Sequence, residues 1–371
     1  MSVFRSRPVL RWLVPTAAAV VVIGGGAAAG TLVASADPSL PERSAAQLLV
    51  DLQGAKVDGF SGTITQTADL GLQKVPALAG GSQDGASIAN LITGNNTVRV
   101  WYAGEDKVRL ALLGVLGESD MIRNGKDVWL WRSQNGTATH LTVPAGEKTP
   151  HAAPALPSTP QEAADAALAA IDPTTAVSTT GAAEVAGRDA YELVLAPKDT
   201  ESLIGQVRLA IDAEHHIPLR VDVYAKGATN PAVRVAFQQI SFTVPDAEQF
   251  TFNPPPGTKV ENETPQDVQR KAEAEAQKKA KTAPAAKPGK EAEPTTIGKG
   301  WTTIVTAKMP AAKGQEADAM KGVIEGLPKV SGAWGSGHLF AGTLFSVLVT
   351  DDGRVLAGAV TPEKLYQAAD K

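Results

Sequence analysis

The chain has 371 residues, of which 43% are apolar, and its formal net charge is −4. This length accommodates two domains and a tail, and the near-neutral charge argues against nucleic acid or another polyanion as a partner. Because the sequence contains no cysteine, it excludes a disulfide scaffold, a thiolate metal site, a cysteine nucleophile and a lipid-modified cysteine.

Residues 1–36 form a segment that opens with basic residues and continues without charge. Arg5, Arg7 and Arg11 precede Trp12–Ala36, an uncharged run of 25 residues, and this order is typical of export signals with a cytoplasmic N-terminus. Cleavage after Ala36 would release a secreted protein. A run longer than the about 20 residues that cross a bilayer instead favours a retained, single-pass anchor in the cell membrane. Either outcome predicts an extracytoplasmic remainder.

Residues 40–143 combine one helical pattern with several strand patterns. Apolar residues recur with helical spacing in Leu40–Gln53, which predicts a helix with one apolar face. The segments that follow are rich in aromatic and β-branched residues, as strands are, and Gly104 and Gly125 provide the positive φ of tight hairpins. The predicted strands are Phe60–Thr67, Val98–Tyr102, Lys107–Leu113, Asp127–Arg132 and Thr137–Val143.

Two stretches interrupt this strand pattern. Ala68–Asn96 is rich in glycine, alanine and leucine and has no sustained period. It is interpreted either as a disordered or collapsed insertion or as a flap over an apolar cavity. Pro160–Ile171 predicts a helix, because Thr159 fits the N-cap, Pro160 fits the first helical position and Glu162 completes a capping box.

Residues 174–260 return to strand patterns separated by turn residues. A spacing of roughly 8–15 residues between strands is typical of an antiparallel sheet that curls or closes. With the two helices, this predicts a β-rich α+β fold. The predicted strands are Val177–Val185, Ala190–Ala196, Gly205–Asp212, Pro218–Tyr224, Ala232–Val244 and Phe250–Phe252.

Composition changes again after the last of these strands. The sheet domain is predicted to span residues 37–261, and residues 262–296 form a charged, Pro- and Ala-rich linker. Within it, Asp267–Lys281 fits a solvated helix, whereas Thr282–Pro294 has too little apolar content to fold. Residues 297–371 form a small C-terminal α+β unit that would fold alone only marginally. Its predicted elements are the strands Gly300–Ala307, Leu339–Thr350 and Arg354–Val360 and the helices Gln315–Leu327 and Pro362–Ala369.

Six segments of residues 40–260 carry a resemblance to a known family. They are Phe60–Thr67, Val98–Tyr102, Ile122–Trp131, Tyr191–Pro197, Leu209–Leu219 and Phe250–Val260. In this order they resemble the LolA lipoprotein-carrier family, whose architecture the RseB/MucB sensors of the envelope stress response share. The resemblance implies an unclosed antiparallel half-barrel, with helices plugging a concave hydrophobic cavity that takes acyl chains. The insertion before Val98, the N-terminal segment and the residues after 261 lie outside that pattern.

No catalytic constellation is present in the sequence. Nucleophile-elbow, zinc-protease, P-loop and dinucleotide-binding motifs are absent, so neither an enzymatic activity nor a cofactor is predicted. His215 and His216 are adjacent in a hairpin turn and point to different sides, which disfavours a metal site. Asp351 and Asp352 also fall in a turn and need no catalytic role.

Apolar binding is the function class that remains. Trp129 and Trp131 share one face of their strand, while Val128 and Leu130 share the other. Both faces are thus apolar, although a solvated face should be polar. These side chains either build a core or line a cavity for lipid tails. The candidate cavity residues are Val100, Leu110, Leu112, Trp129, Leu130 and Trp131.

These observations together predict an extracytoplasmic, membrane-tethered protein that holds a lipid or a lipidated protein in a half-barrel cavity. Its expected partners are acyl chains or lipoproteins, the cell membrane and a membrane protein, but no nucleic acid. The alternative is an envelope sensor or regulatory protein like the RseB relatives, which would act through a membrane partner.

Overall fold

Two β-sheets dominate the computed structural model, which describes residues 40–72, 95–114, 117–142, 174–264, 270, 294–309 and 315–370. The large sheet has 12 strands in the order β12-β6-β5-β4-β3-β2-β1-β11-β10-β9-β8-β7. Its two end strands, β12 and β7, do not pair with each other, which confirms the prediction of a strand-rich, unclosed sheet. The strands are β1 (Phe60–Ala68), β2 (Asn96–Tyr102), β3 (Lys107–Gly114), β4 (Gly117–Asn124), β5 (Asp127–Arg132), β6 (Thr137–Thr142), β7 (Thr175–Val185), β8 (Arg188–Pro197), β9 (Ile204–Asp212), β10 (Pro218–Ala225), β11 (Val233–Ser241) and β12 (Lys259–Glu263).

Tight turns fix the register of the β2–β5 meander. Gly104 and Gly125 adopt φ of +89° and +63°, as expected for the residues predicted to turn the chain. The sequence did not predict β4 as a strand, because its Glu118 and Asp120 are residue types depleted in strands. In the structure, an ion pair accounts for the presence of Asp120 in a strand, because Arg109 of β3 donates to its carboxylate at 2.6 Å and 3.1 Å.

The segment after β11 differs from its prediction. Phe250–Phe252 is not a strand; a 3₁₀ helix covers Ala247–Phe250, and residues 251–258 have no regular structure. Three consecutive prolines, 254–256, lack the N–H groups that a sheet ladder requires. The chain rejoins the sheet at β12, which runs parallel to β6. Residues 247–263 are called the return segment below.

Helix α1 (Ala45–Gly54) packs on the large sheet and covers part of it. Ser44 and Gln47 form the capping box that fixes its start. The Leu48 and Leu52 side chains are buried in one cluster with Leu193 and Leu209, from the central strands of the β7–β11 half. Burying a leucine side chain contributes about 1.5–3 kcal/mol, so this contact holds the helix on the sheet.

The C-terminal residues form a second, six-stranded sheet in the order β13-β14-β18-β17-β16-β15. Leu365 of α3 is buried against it. Predicted strand Leu339–Thr350 is two strands, because the chain reverses at residues 342–345, and predicted strand Gly300–Ala307 begins as a 3₁₀ helix. The elements are β13 (Thr295–Ile297), β14 (Ile304–Lys308), α2 (Gln315–Glu325), β15 (Lys329–Gly332), β16 (Gly335–Ala341), β17 (Ser346–Thr350), β18 (Arg354–Gly358) and α3 (Pro362–Ala369).

The small sheet docks against the large one. Leu344 and Ala359 are buried in the same cluster as α1, and Ser202 forms an antiparallel bridge with Val360. The indole Nε1 of Trp301 donates to Thr175 Oγ1 at 2.7 Å. The C-terminal residues therefore share a core with the large sheet.

Several predicted segments lie outside the described residues. These are the N-terminal run Trp12–Ala36, most of the insertion Ala68–Asn96, the helix Pro160–Ile171 and nearly all of the linker 262–296. Within the residues that the structure does describe, no helix has the length and apolar character needed to cross a membrane.

A buried carboxylate ties three parts of the large sheet together. Asp212, at the end of β9, is fully buried and accepts hydrogen bonds from Arg188 of β8. The backbone N–H groups of Glu214 and His215 donate to it at 3.1 Å and 2.6 Å. His215 and Arg188 both lie over the ring of Phe242, which follows β11. Burial alone would raise the pKa of Asp212, but these hydrogen bonds lower it below its ordinary value of 3.8.

We expect Asp212→Asn to lower the free energy of unfolding by about 2–4 kcal/mol, because Arg188 loses its charged partner. A lowered native-state pKa gives stability that is complete above the ordinary Asp range and is lost as the pH falls through the lowered pKa. The difference between wild type and variant should therefore shrink in acid. Urea unfolding at several pH values measures it, with exposed Asp189→Asn as the control. An equal difference at all pH values would contradict this assignment.

Candidate binding site

The register of the large sheet assigns its side chains to two faces. Directly opposite residues in neighbouring strands share a face. Ile64 of β1 lies opposite Val98 and on the same face as Ala68, which belongs to the core that contains Leu48 of α1. The face that carries Ile64 and Val98 is called the inner face, and the opposite one the outer face.

A row of apolar side chains crosses four strands on the inner face. Val100 lies opposite Leu110, Leu110 opposite Met121, and Met121 opposite Leu130. At about 4.8 Å per strand, this row is about 14 Å long. The four residues are called the inner row. No charged residue interrupts it.

Burial decreases along the inner row. Val100 is 2% exposed, and it packs in a cluster with Ile64 and Phe237. Leu110 and Met121 are half-buried, and Leu130 is 38% exposed. The inner row thus passes from core to accessible apolar surface as it moves away from α1.

Parallel rows flank the inner row. On one side, Leu112 lies opposite Val98 and Ser119, and Ser119 lies opposite Arg132. On the other, Arg123 lies opposite Val128. The accessible apolar surface is thus bounded by an arginine at each end. Four of the six predicted cavity residues, Val100, Leu110, Leu112 and Leu130, lie on this inner face.

The two predicted tryptophans lie on the outer face. Trp129 and Trp131 lie opposite Ile122 and Asp120, and the return segment covers them. Phe252 approaches Trp129 at 5.2 Å and Trp131 at 6.2 Å between ring centroids. The structure therefore separates the tryptophans from the other four predicted residues and packs them beneath the return segment.

A histidine helps to hold the return segment in place. His140 of β6 stacks on Trp129, with 4.2 Å between ring centroids. Its Nε2 lies 2.7 Å from Asp127 Oδ1, and its Nδ1 lies 3.2 Å from Asn262 Oδ1 of β12. The outer face here is thus a packed aromatic layer with a polar edge.

Charged side chains cover the outer face of the β8–β11 half. Asp222 is fully buried and accepts from Arg234 Nε at 2.6 Å and Nη2 at 2.9 Å. Glu192 accepts from Arg220 at 2.9 Å and from Arg208 at 3.3 Å. The hydrogen bond to Asp222 raises the pKa of Arg234. In this half of the sheet the outer face is thus polar and the inner face is apolar.

Sequence reasoning missed two residues of this surface, Met121 and Arg132. Met121 lies in β4, which was not predicted as a strand, so its face could not be assigned. Arg132 was read only as the end of a strand. Among the described residues, no group of three or more His, Asp or Glu side chains could hold a metal ion, and His215 and His216 lie in the β9–β10 turn.

Two acidic residues of β4 lie close together on the outer face. Burial raises the pKa of Glu118 first, and the carboxylate of Asp120 raises it further, whereas Arg109 and Arg99 lower it. The Oδ1 atom of Asp120 is buried and has no hydrogen-bond donor. A proton on Glu118 would supply that donor, which agrees with the raised pKa of Glu118.

We expect Phe252→Ala to lower the free energy of unfolding by about 1–3 kcal/mol, because it leaves a gap over a half-buried aromatic cluster. It should also shift the tryptophan emission to longer wavelength, since Trp129 and Trp131 gain solvent. Phe252→Leu, which keeps most of the apolar volume, should show smaller changes. Chemical denaturation and fluorescence spectra measure both effects. An unchanged emission maximum would contradict the packing of the return segment.

We expect Glu118→Gln to remove a pH-dependent part of the stability. A raised native-state pKa gives stability that is complete below the ordinary Glu value of 4.5 and is lost as the pH rises through the raised pKa. Wild type should therefore become less stable relative to the variant between acid and neutral pH. Unfolding midpoints across that range measure this. Glu184→Gln, on the exposed edge strand β7, is the control and should follow wild type.

One family model matches most of the large sheet. Residues 85–263 match the family model described as the MucB/RseB N-terminal domain. This range contains β2 to β12, and therefore the whole inner row. None of the curated proteins matches the chain.

Solved structures resemble the chain at low sequence identity. A chain of the Pseudomonas aeruginosa MucA/MucB complex is 16% identical, with 88% of this chain and 96% of that chain covered and a TM-score of 0.42. A LolA superfamily protein from Nitrosomonas europaea is 14% identical, covering 57% and 99%, with a TM-score of 0.20. A putative outer membrane lipoprotein-sorting protein domain from Vibrio parahaemolyticus is 14% identical, covering 55% and 94%, with a TM-score of 0.21.

The family-model match covers five of the six segments whose order carried the resemblance, from Val98 to Val260, whereas Phe60–Thr67 lies before it. It confirms the resemblance that the sequence indicated. Residues 85–263 match this family model, and the large sheet has the LolA/RseB-MucB type of fold.

Proposed function

We propose that the chain is an extracytoplasmic binding protein that holds the acyl chain of a lipid or a lipidated protein against the inner row. The observation that carries this proposal is the change in burial along that row, from Val100 at 2% exposed to Leu130 at 38% exposed. Apolar surface that continues out of a core without a polar break is suited to an apolar ligand.

The energetics of acyl burial support this proposal. Burial contributes about 0.8 kcal/mol per methylene, so each methylene buried against the inner row adds to the affinity and offsets part of the cost of association. The inner row needs no hydrogen bonds for this, which fits its purely apolar side chains.

The location outside the cytoplasm belongs to the same proposal. It rests on the basic start and the uncharged run Trp12–Ala36, which favour a tether in the cell membrane, with release after Ala36 as the alternative. A tethered protein would meet its ligand at the membrane surface. The N-terminal residue of the mature protein, determined by mass spectrometry, tests this part, since Asp37 would indicate release.

Ligand capture is tested first on the wild-type chain. Native mass spectrometry of protein extracted in mild detergent should show bound lipid, and delipidated protein should enhance the emission of a fatty-acyl fluorophore. If lipid is neither retained nor bound as the probe, the proposal fails.

We expect Leu130→Glu to weaken binding of the acyl probe by at least about tenfold, because a carboxylate then interrupts the apolar surface. Val50→Glu is the matched control, since Val50 is an apolar residue of α1 that is 67% exposed and lies away from the inner row. Probe titrations measure both variants. Equal loss in both, or in neither, would contradict the placement of the ligand on the inner row.

A second candidate function is regulation through a partner protein, as suggested by the MucB/RseB family model. The observation that favours it is the shared core of the two sheets, since Leu344 of the C-terminal residues and Leu48 of α1 belong to the same buried cluster. A ligand that shifts α1 would therefore also change the packing of the small sheet. Hydrogen exchange separates the candidates, because a carrier should gain protection only in β2–β6, whereas a sensor should also change β17 and β18.

A further inference from the structure

An arginine without a partner stands at one end of the inner face. Arg132, the last residue of β5, is exposed, and within the described parts of the chain it forms no hydrogen bond or ion pair. Most other strand arginines are neutralised, as Arg109 is by Asp120 and Arg234 by Asp222. A strand-end guanidinium with no acid beside it leaves its planar donor fork open to an external anion.

The position of Arg132 relates this charge to the apolar surface. It lies two residues after Leu130 on the same strand, so both side chains are on the inner face about 7 Å apart. Ser119 lies directly opposite Arg132 on β4, and its hydroxyl has no partner among the residues that the structure describes. Thr137, opposite on β6, already donates to Asn135 Oδ1 at 2.6 Å. Within the described residues, the Arg132 guanidinium and the Ser119 hydroxyl are thus donors at this end that an anion can use.

The other arginine of the inner face does not offer the same site. Arg123 donates to Asp106 Oδ1 at 2.9 Å and to the Gly125 carbonyl oxygen at 3.3 Å. Its charge is thus already compensated by Asp106 at the β2–β3 turn. The two ends of the inner face therefore differ in charge. The end at Arg123 is neutralised, whereas the end at Arg132 is cationic.

We propose that Arg132 and Ser119 bind the phosphate of an anionic phospholipid whose acyl chain lies along the inner row. This inference rests on the proposed function and adds the class of head group. The source of such a ligand is the cell membrane to which the N-terminal segment would tether the protein. An arginine binds a phosphate through two charge-assisted hydrogen bonds. This contact can therefore distinguish lipid head groups by charge and geometry, which the apolar row cannot do.

The test compares two lipids that differ only in the head group. Delipidated full-length protein is loaded with the methyl ester of a fatty-acyl fluorophore, a neutral probe that does not depend on Arg132. Phosphatidylglycerol and diacylglycerol with identical chains then compete for the site. Wild type should release the probe at a concentration of phosphatidylglycerol about tenfold lower than that of diacylglycerol. This preference for phosphatidylglycerol should decrease as ionic strength rises. Inorganic phosphate alone should not displace the probe.

Substitutions at Arg132 test whether this residue causes the preference for phosphatidylglycerol. Arg132→Gln should lose the preference for phosphatidylglycerol and keep its affinity for diacylglycerol, whereas Arg132→Lys, which keeps the charge without the planar fork, should retain part of it. Arg99→Gln is the matched control, because Arg99 is also an exposed strand arginine but lies on the outer face, opposite Thr63. It should behave like wild type.

The outcomes separate this inference from the proposed function. If wild type binds neither lipid nor probe, the proposed function itself fails. If wild type binds both lipids equally, or if Arg132→Gln keeps the preference, only the head-group assignment is overturned. A preference for a free fatty acid over phosphatidylglycerol would likewise overturn the phosphate assignment while leaving acyl binding intact.

Discussion

An unbroken register from β2 to β5 determines which side chains can act together. Because neighbours along a strand point to opposite faces, the pairing of Val100, Leu110, Met121 and Leu130 puts one residue from each of four strands into a single row. A slip of one residue in any of these strands would move its contribution to the other face. The tight turns at Gly104 and Gly125 prevent such a slip, so the apolar surface depends on them as much as on its own leucines.

Different parts of the chain cover the two faces, and this gives each face its character. On the inner face, α1 and the C-terminal residues bury the β7–β11 half, where Leu48 and Leu344 share one core. On the outer face, the return segment covers the tryptophans of β5, and ion pairs such as Arg234–Asp222 cover the rest. What stays accessible and apolar is the inner face from Leu110 to Leu130. A packed half and an accessible apolar half thus coexist in one sheet, because α1 and the C-terminal residues cover only part of the inner face.

Local sequence patterns located most elements but failed where tertiary contacts outweigh local preference. Asp127–Arg132 and Pro362–Ala369 match the predicted bounds exactly, since aromatic alternation and a proline at the first helical position are strong local signals. β4 was missed because Asp120 is unfavourable in a strand until Arg109 of the neighbouring strand neutralises it. β12 was missed because its ladder is a parallel pairing with β6, residues distant in sequence, which no local pattern encodes.

The sequence by itself determined the strand-rich, LolA/RseB-MucB type of fold, because this follows from the order of its segments. It also determined that Trp129 and Trp131 share one side of β5 while Leu130 takes the other, because side chains alternate along a strand with a period of two residues. Only the tertiary structure decided which side is accessible, since this depends on where α1 and the return segment pack. It also decided that Arg132 is left open while Arg123 is paired, because ion pairing requires an acid brought close by the fold, and Asp106 reaches only one of the two.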